Sequence, residues 1–198
     1  LSGGIKNPTY QLNYTGSYLT SESVEKSDFY RHKSVAEKTF GQITFGFKDE
    51  MEQNAFRNNE TDTLTLNSYN FYDWQAYVKT PDTSMHSVGV FYRERLDEKP
   101  LSNQMSGAAK ATGFGLEYKF SKSFKNVFKT RVEYRDLQIL DSALINQTPE
   151  NTIVGRLDYG ANWGDGFFTA NAYYEIGSGL EQKKEFVYIE TLPGQGNF

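Results

Sequence analysis

Carboxylates and cations recur in the second half of the chain at a spacing that could serve acid–base chemistry. Glu117, Glu133, Asp158 and Glu175 take polar positions in successive alternating segments, and Lys119, Lys129, Arg131, Arg135 and Arg156 take positions of the same set. If each segment is a strand, all of them leave one face of a sheet, where two carboxyl groups could act as acid and base in a hydrolase. Opposite charges across neighbouring strands are also ordinary stabilisers of a sheet. An ion-pair network along a water-facing surface is the simpler reading, and no catalytic residue is assigned.

Other reactive residue types are sparse. The chain has no Cys, which removes disulfides, thiolate catalysis and zinc sites built on Cys. His32 lies in a polar stretch and His86 at a strand start, and an exposed or edge position accounts for each. Two histidines are too few for a His-rich metal centre. Gly113-Phe114-Gly115 and Gly194-Gln195-Gly196 lack the strand-to-helix setting of a dinucleotide loop and read as small residues in a strand and a turn. Asn13-Tyr14-Thr15, Asn59-Glu60-Thr61 and Asn146-Gln147-Thr148 match the glycosylation triplet, a short pattern that chance matches often produce. No cofactor or metal is expected.

The elements that would position these side chains are strands. In 198 residues, enough for one domain spanning 1–198 or a piece of something larger, apolar residues make up 37% but aromatics reach 16%. Disordered chains are poor in aromatics, and helical bundles lack this excess of Tyr, Phe, Thr and Gly. The net charge of −4 argues against a nucleic-acid partner held by its phosphates. No stretch approaches the roughly 18 apolar residues of a membrane helix, a test to which transmembrane strands are invisible.

Apolar and polar residues alternate with a period of two from end to end. One set comprises Tyr10, Leu12, Tyr14 and Tyr18; Ile43, Phe45 and Phe47; Tyr72, Trp74, Ala76 and Val78; and Val88, Val90 and Tyr92. It continues through Phe114, Leu116, Tyr118 and Phe120; Phe128, Thr130, Val132 and Tyr134; Ile153 to Trp163; and Phe168 to Ile176. A short ninth run holds Phe186 and Tyr188. About nine antiparallel strands in an up-and-down meander are expected, most of them roughly 9–13 residues long. Short links fall at Thr80–Thr83, Ser121–Lys125 and Gly164–Gly166, and longer polar ones at Asp49–Asp62, Asp97–Ala109 and Asp141–Asn151. Ser21–Ser34 reads either as a loop or as strand residues running past a membrane boundary.

The apolar set carries no Lys or Arg in these runs, as a face against lipid or against a protein core would require. Its many Tyr residues favour lipid, because a tyrosine hydroxyl reaches headgroups at a membrane interface but needs an internal partner in a dry core. Trp163, just before Gly164-Asp165-Gly166, stands where an aromatic girdle would. The alternation stops near Glu190, Pro193 cannot donate in a central strand, and Phe198 reads as a truncation point or the edge of order rather than as the closing residue of a barrel. An odd strand count also argues for part of a barrel, since single-chain bacterial barrels are even-numbered. The opening Leu1-Ser2-Gly3-Gly4, without an initiator Met, reads as a mature form, an excised domain or part of a longer chain.

The segment Tyr188-Ile189-Glu190-Thr191-Leu192-Pro193-Gly194-Gln195-Gly196-Asn197-Phe198 resembles one found in very large surface and outer-membrane proteins of the Bacteroidota. The Tyr- and Phe-rich hairpins before it are similar in style to those proteins, which include the giant barrel of the type IX secretion translocon. The resemblance implies a larger parent protein in a Gram-negative outer membrane and carries over no functional residue. The expectation is therefore a non-enzymatic pore, translocon wall or surface scaffold, with the lipid bilayer and other outer-membrane or surface proteins as partners. The alternative is a soluble cell-surface β-barrel or sandwich that binds a ligand or polymer.

Overall fold

The computed structural model describes residues 1–178 except 8, 24, 82–84, 123–125 and 164–166, with the side chains of Lys122 and Trp163 also outside the description. The ninth run, the three short turn segments in part or whole, and the segment from Tyr188 to Phe198 thus lie outside the described residues. Alternation becomes ten strands: β1 (Ser2–Lys6), β2 (Tyr10–Glu22), β3 (Glu25–Phe40), β4 (Ile43–Asn58), β5 (Tyr69–Lys79), β6 (His86–Leu101), β7 (Gln104–Lys122), β8 (Asn126–Ile139), β9 (Glu150–Trp163) and β10 (Phe168–Ser178). They form one sheet in sequence order, each antiparallel to the next, and among the described residues β1 and β10 are its edges. The described sheet is open.

Two described strands go beyond the nine expected. β1 is short and Gly-rich, and so shows little alternation. β3 occupies the ambiguous stretch: its outward residues include Lys38, Ser34 and His32, so polarity hides its period. The strands are also longer than expected, up to 19 residues in β7. The supposed long link Asp97–Ala109 is a two-residue hairpin. Ser102 and Asn103 both take positive φ, 49° and 67°, the pair that a type I′ turn requires. Polar strand residues on either side mimic a loop. A bulge opposite Asp97 and Glu98 leaves Ala108 unpaired in the ladder, and its carbonyl accepts from Leu140 and Asp141 of the β8–β9 connection.

The core is thin. Buried apolar residues among those described are Ala55, Ala108, Ala109, Ala111, Ala161 and a single large one, Phe91. The described residues supply no second layer. Instead the sheet curls toward its polar face: one concavity is lined by Glu52 of β4, Phe71 of β5, Arg95 of β6, Gly113 of β7 and Leu137 of β8. Laid flat, those five strands would spread over roughly 19 Å.

Candidate functional site

The two faces of the sheet are the surfaces on which function can rest. Cross-strand pairing sets Val78, Val90, Leu116, Val132, Gly155 and Ile176 opposite one another in one row from β5 to β10. Beside it run Ala76, Tyr92, Phe114, Tyr134 and Ile153. This face is convex and open to the surroundings: Leu116 is 46% exposed and Phe114 61%.

The apolar band does not follow the hydrogen-bonded rows. On β10 it runs from Phe168 to Ile176; on β2 it runs from Tyr10 to Tyr18. Ile176, at one end of the first run, lies in the row of Tyr10, at the opposite end of the second. Over eight strand-to-strand steps the band thus slips by its own length, about one residue per strand. With a rise of about 3.3 Å per residue and about 4.8 Å between strands, the slip corresponds to an inclination of roughly 35°. Transmembrane barrel strands are tilted by about 35–45°. A flat slab cut across strands so inclined gives this drift. The apolar stretches Phe168–Ile176 and Ile153–Ala161 then stand roughly 22 Å tall, Phe128–Tyr134 roughly 16 Å and Ile43–Phe47 roughly 11 Å, against an apolar band of about 25 Å in such barrels.

Charges on the convex face lie at or beyond the margins of the apolar band with one exception. Lys38 lies opposite Tyr10 and Phe45 on β3, so the band is not free of Lys once that strand is included. It sits at the short-turn margin, its Nζ 5.8 Å from the Tyr10 ring and 5.6 Å from the Phe40 ring, as a snorkelling lysine would. Lys110 lies beyond the opposite margin, paired with Glu94 at 3.0 Å. The exception is a cluster within the band. Asp49 bonds His32 Nε2 at 2.7 Å and also accepts from Ser34, while the rings of Tyr14 and Tyr30 flank the imidazole at 6.1 and 5.6 Å. His32 is therefore not the exposed or edge residue its polar surroundings suggest. Its partner lies 17 residues away across a hairpin whose register the sequence does not display. The aspartate stands between serine and histidine, whereas nucleophile activation needs Ser and His in contact. His86 is exposed at the start of β6, and its Nδ1 lies 2.9 Å from the Tyr118 hydroxyl.

The polar face is concave and laced with ion pairs. Arg131 of β8 donates to Glu117 at 2.7 Å and to Glu133 at 2.8 Å, and its guanidinium lies 4.3 Å over the Phe91 ring. Phe91, 3% exposed, rests on Gly115 of the neighbouring strand, where a Cβ would stand 2.2 Å from the ring. Gly46 receives the Tyr77 ring in the same way. Both glycines mark places where an aromatic lies flat on the sheet, a role their positions in polar runs do not reveal. Arg156 bonds Asp158 at 3.1 Å, Arg93 bonds Asp73, and Arg95 bonds Asp97 at 2.7 Å while stacking 4.2 Å over Phe71. Glu175 accepts from Tyr173.

The four candidate carboxylates do share this face. Glu117 and Glu133 approach a common guanidinium, which stands between them; Asp158 and Glu175 have partners of their own. Arg135 opens onto the concavity at the long-loop end, about 530 Å³, over which Ile145 and Gln147 of the β8–β9 connection fold. No group of three metal-ligating side chains gathers among the described residues. Comparison with protein-family models, with curated proteins and with solved structures finds no match for this chain.

Proposed function

We propose that this chain is a stretch of outer-membrane β-barrel wall, its convex face against lipid and its concave face lining water. On this reading it serves a pore, a translocon wall or a surface scaffold rather than catalysis. The observation that carries the reading is the drift of the apolar band, one residue per strand, because constant height in a bilayer is a property of the surroundings and not of the hydrogen-bond ladder. The open edges fit a segment whose neighbours complete the barrel, and the resemblance of Tyr188–Phe198 to large Bacteroidota surface proteins points to the same setting.

Leu157 tests it. The residue lies at mid-height of the band, opposite Thr130 and Tyr174. Against lipid, Leu157→Arg should cost about 2–4 kcal/mol, while Leu157→Ala should cost little because fluid lipid fills the volume. In a soluble core the alanine alone should cost about 2–5 kcal/mol through its cavity. Refolding free energies in detergent or lipid vesicles, with a costly alanine, would overturn the membrane reading in favour of a soluble β-protein.

A further inference from the structure

Near the short-turn end the concave face holds an electrostatic arrangement that the sheet itself does not need. Lys119 of β7 stands directly opposite Lys129 of β8, whose neighbour on the other side is Asp158, and one step along, Arg131 of β8 stands between Glu117 and Arg156 of β9. Directly paired residues have Cβ atoms about 5 Å apart, and like charges so placed destabilise a sheet. The arginines are compensated, Arg131 by Glu117 and Glu133 and Arg156 by Asp158. Neither lysine has a hydrogen-bond or ion-pair partner among the described residues. Both line a concavity of about 330 Å³ together with Lys79, Arg131, Arg156, Glu117 and Asp158, where Lys79 is itself paired with Glu37 at 3.0 Å and the two lysines are the cations left to a ligand. Gly89, between Lys79 and Glu117, contributes no side chain and leaves the floor open.

We propose that this concavity is an oxyanion site, in which Lys119 and Lys129 hold a phosphate-like or carboxylate group presented from the water-filled side. A doubly charged anion between the two ammonium groups converts their repulsion into two charge-assisted hydrogen bonds. The site lies on a segment of wall where an anionic solute travelling along the face would meet it. The inference rests on reading the concave face as water-lined.

The test uses the full chain refolded in detergent, its lysines carrying ¹³C-methyl groups that keep the charge, with inorganic phosphate as the probe at constant ionic strength. The Lys119 and Lys129 signals, assigned from single Lys→Gln variants, should shift together and saturate with phosphate but not with chloride. Replacing both lysines by Gln should weaken phosphate binding by about tenfold or more, the loss expected of hydrogen bonds to charged groups. Lys119→Arg should retain it. A second measurement covers folding: phosphate should raise the urea midpoint of the parent chain, and the double Gln variant should show a higher midpoint than the parent without phosphate but no further rise with it. Equal responses to chloride and phosphate, or phosphate binding that survives the double substitution, would overturn the site. Phosphate binding in detergent does not depend on what covers Leu157, so this proposal and the membrane reading fail separately.

Discussion

Leu116 and Glu117 are consecutive on β7, yet they enter surroundings of opposite kind. Leu116 joins Val90 and Val132 in an exposed row with nothing among the described residues folded over it, whereas Glu117 joins Arg131, Phe91 and Gly115 in a concave network. In a soluble β-sandwich the apolar face is the covered one. Here, among the described residues, the greasy face is bare and the charged face is sheltered by curvature. The contrast teaches that the convex side draws little stability from packing within the described sheet, while the concave side draws it from how side chains interlock.

The sharpest way to break this comparison is to place a charge on each side in turn. Leu116→Arg should lower the refolding free energy in lipid vesicles by about 2–4 kcal/mol, with Leu116→Ala close to neutral. A mild Leu116→Arg would mean that the face does not meet a bilayer.

Next in size is the packing within the concave network. A Cβ at Gly115 would lie 2.2 Å from the Phe91 ring and 2.8 Å from the Val132 carbonyl oxygen. Gly115→Val should therefore cost about 1–3 kcal/mol by overpacking. Urea unfolding should show the loss, and Phe91→Ala in the same chain should restore only part of it, because the clash with the backbone remains.

The β6–β7 hairpin sharpens the account of how the long strands are held in register. Asn103 has positive φ, and its Oδ1 accepts from the Leu64 backbone at 2.7 Å, tying two connections together. Asn103→Ala should cost about 1–2 kcal/mol, from the left-handed backbone and the lost hydrogen bond. Asn103→Gly should recover the backbone share, a difference that thermal melting can resolve.

The smallest effect belongs to the exposed end of the ion-pair ladder. The Arg131 and Glu117 side chains are 35% and 50% exposed, so Glu117→Gln should cost only about 0.2–1 kcal/mol and less at high salt. A double-mutant cycle with Arg131→Gln measures the pair. A coupling well above that range would mean that the concave face is far drier than its exposure indicates.

The meander, the antiparallel order and the two faces were legible in the sequence, because a period of two needs no knowledge of which strand neighbours which. Ile43, Trp74, Leu116, Val132, Leu157 and Ala172 share one side, and Arg131, Glu133, Arg156 and Asp158 share the other, as the alternation requires. β3 escaped because alternation signals a strand only where one face is apolar, and Lys38, Ser34 and His32 break that face. The Ser102–Asn103 hairpin escaped because polar strand residues read as loop. Register belongs to the tertiary structure alone. It decides that Asp49 meets His32, that Phe91 lies on Gly115, and that Lys119 faces Lys129. Register also sets the slip of the apolar band against the hydrogen-bonded rows. Each residue type along a strand is written in the chain, but the inclination of one strand's apolar run against the next exists only after ten strands have paired.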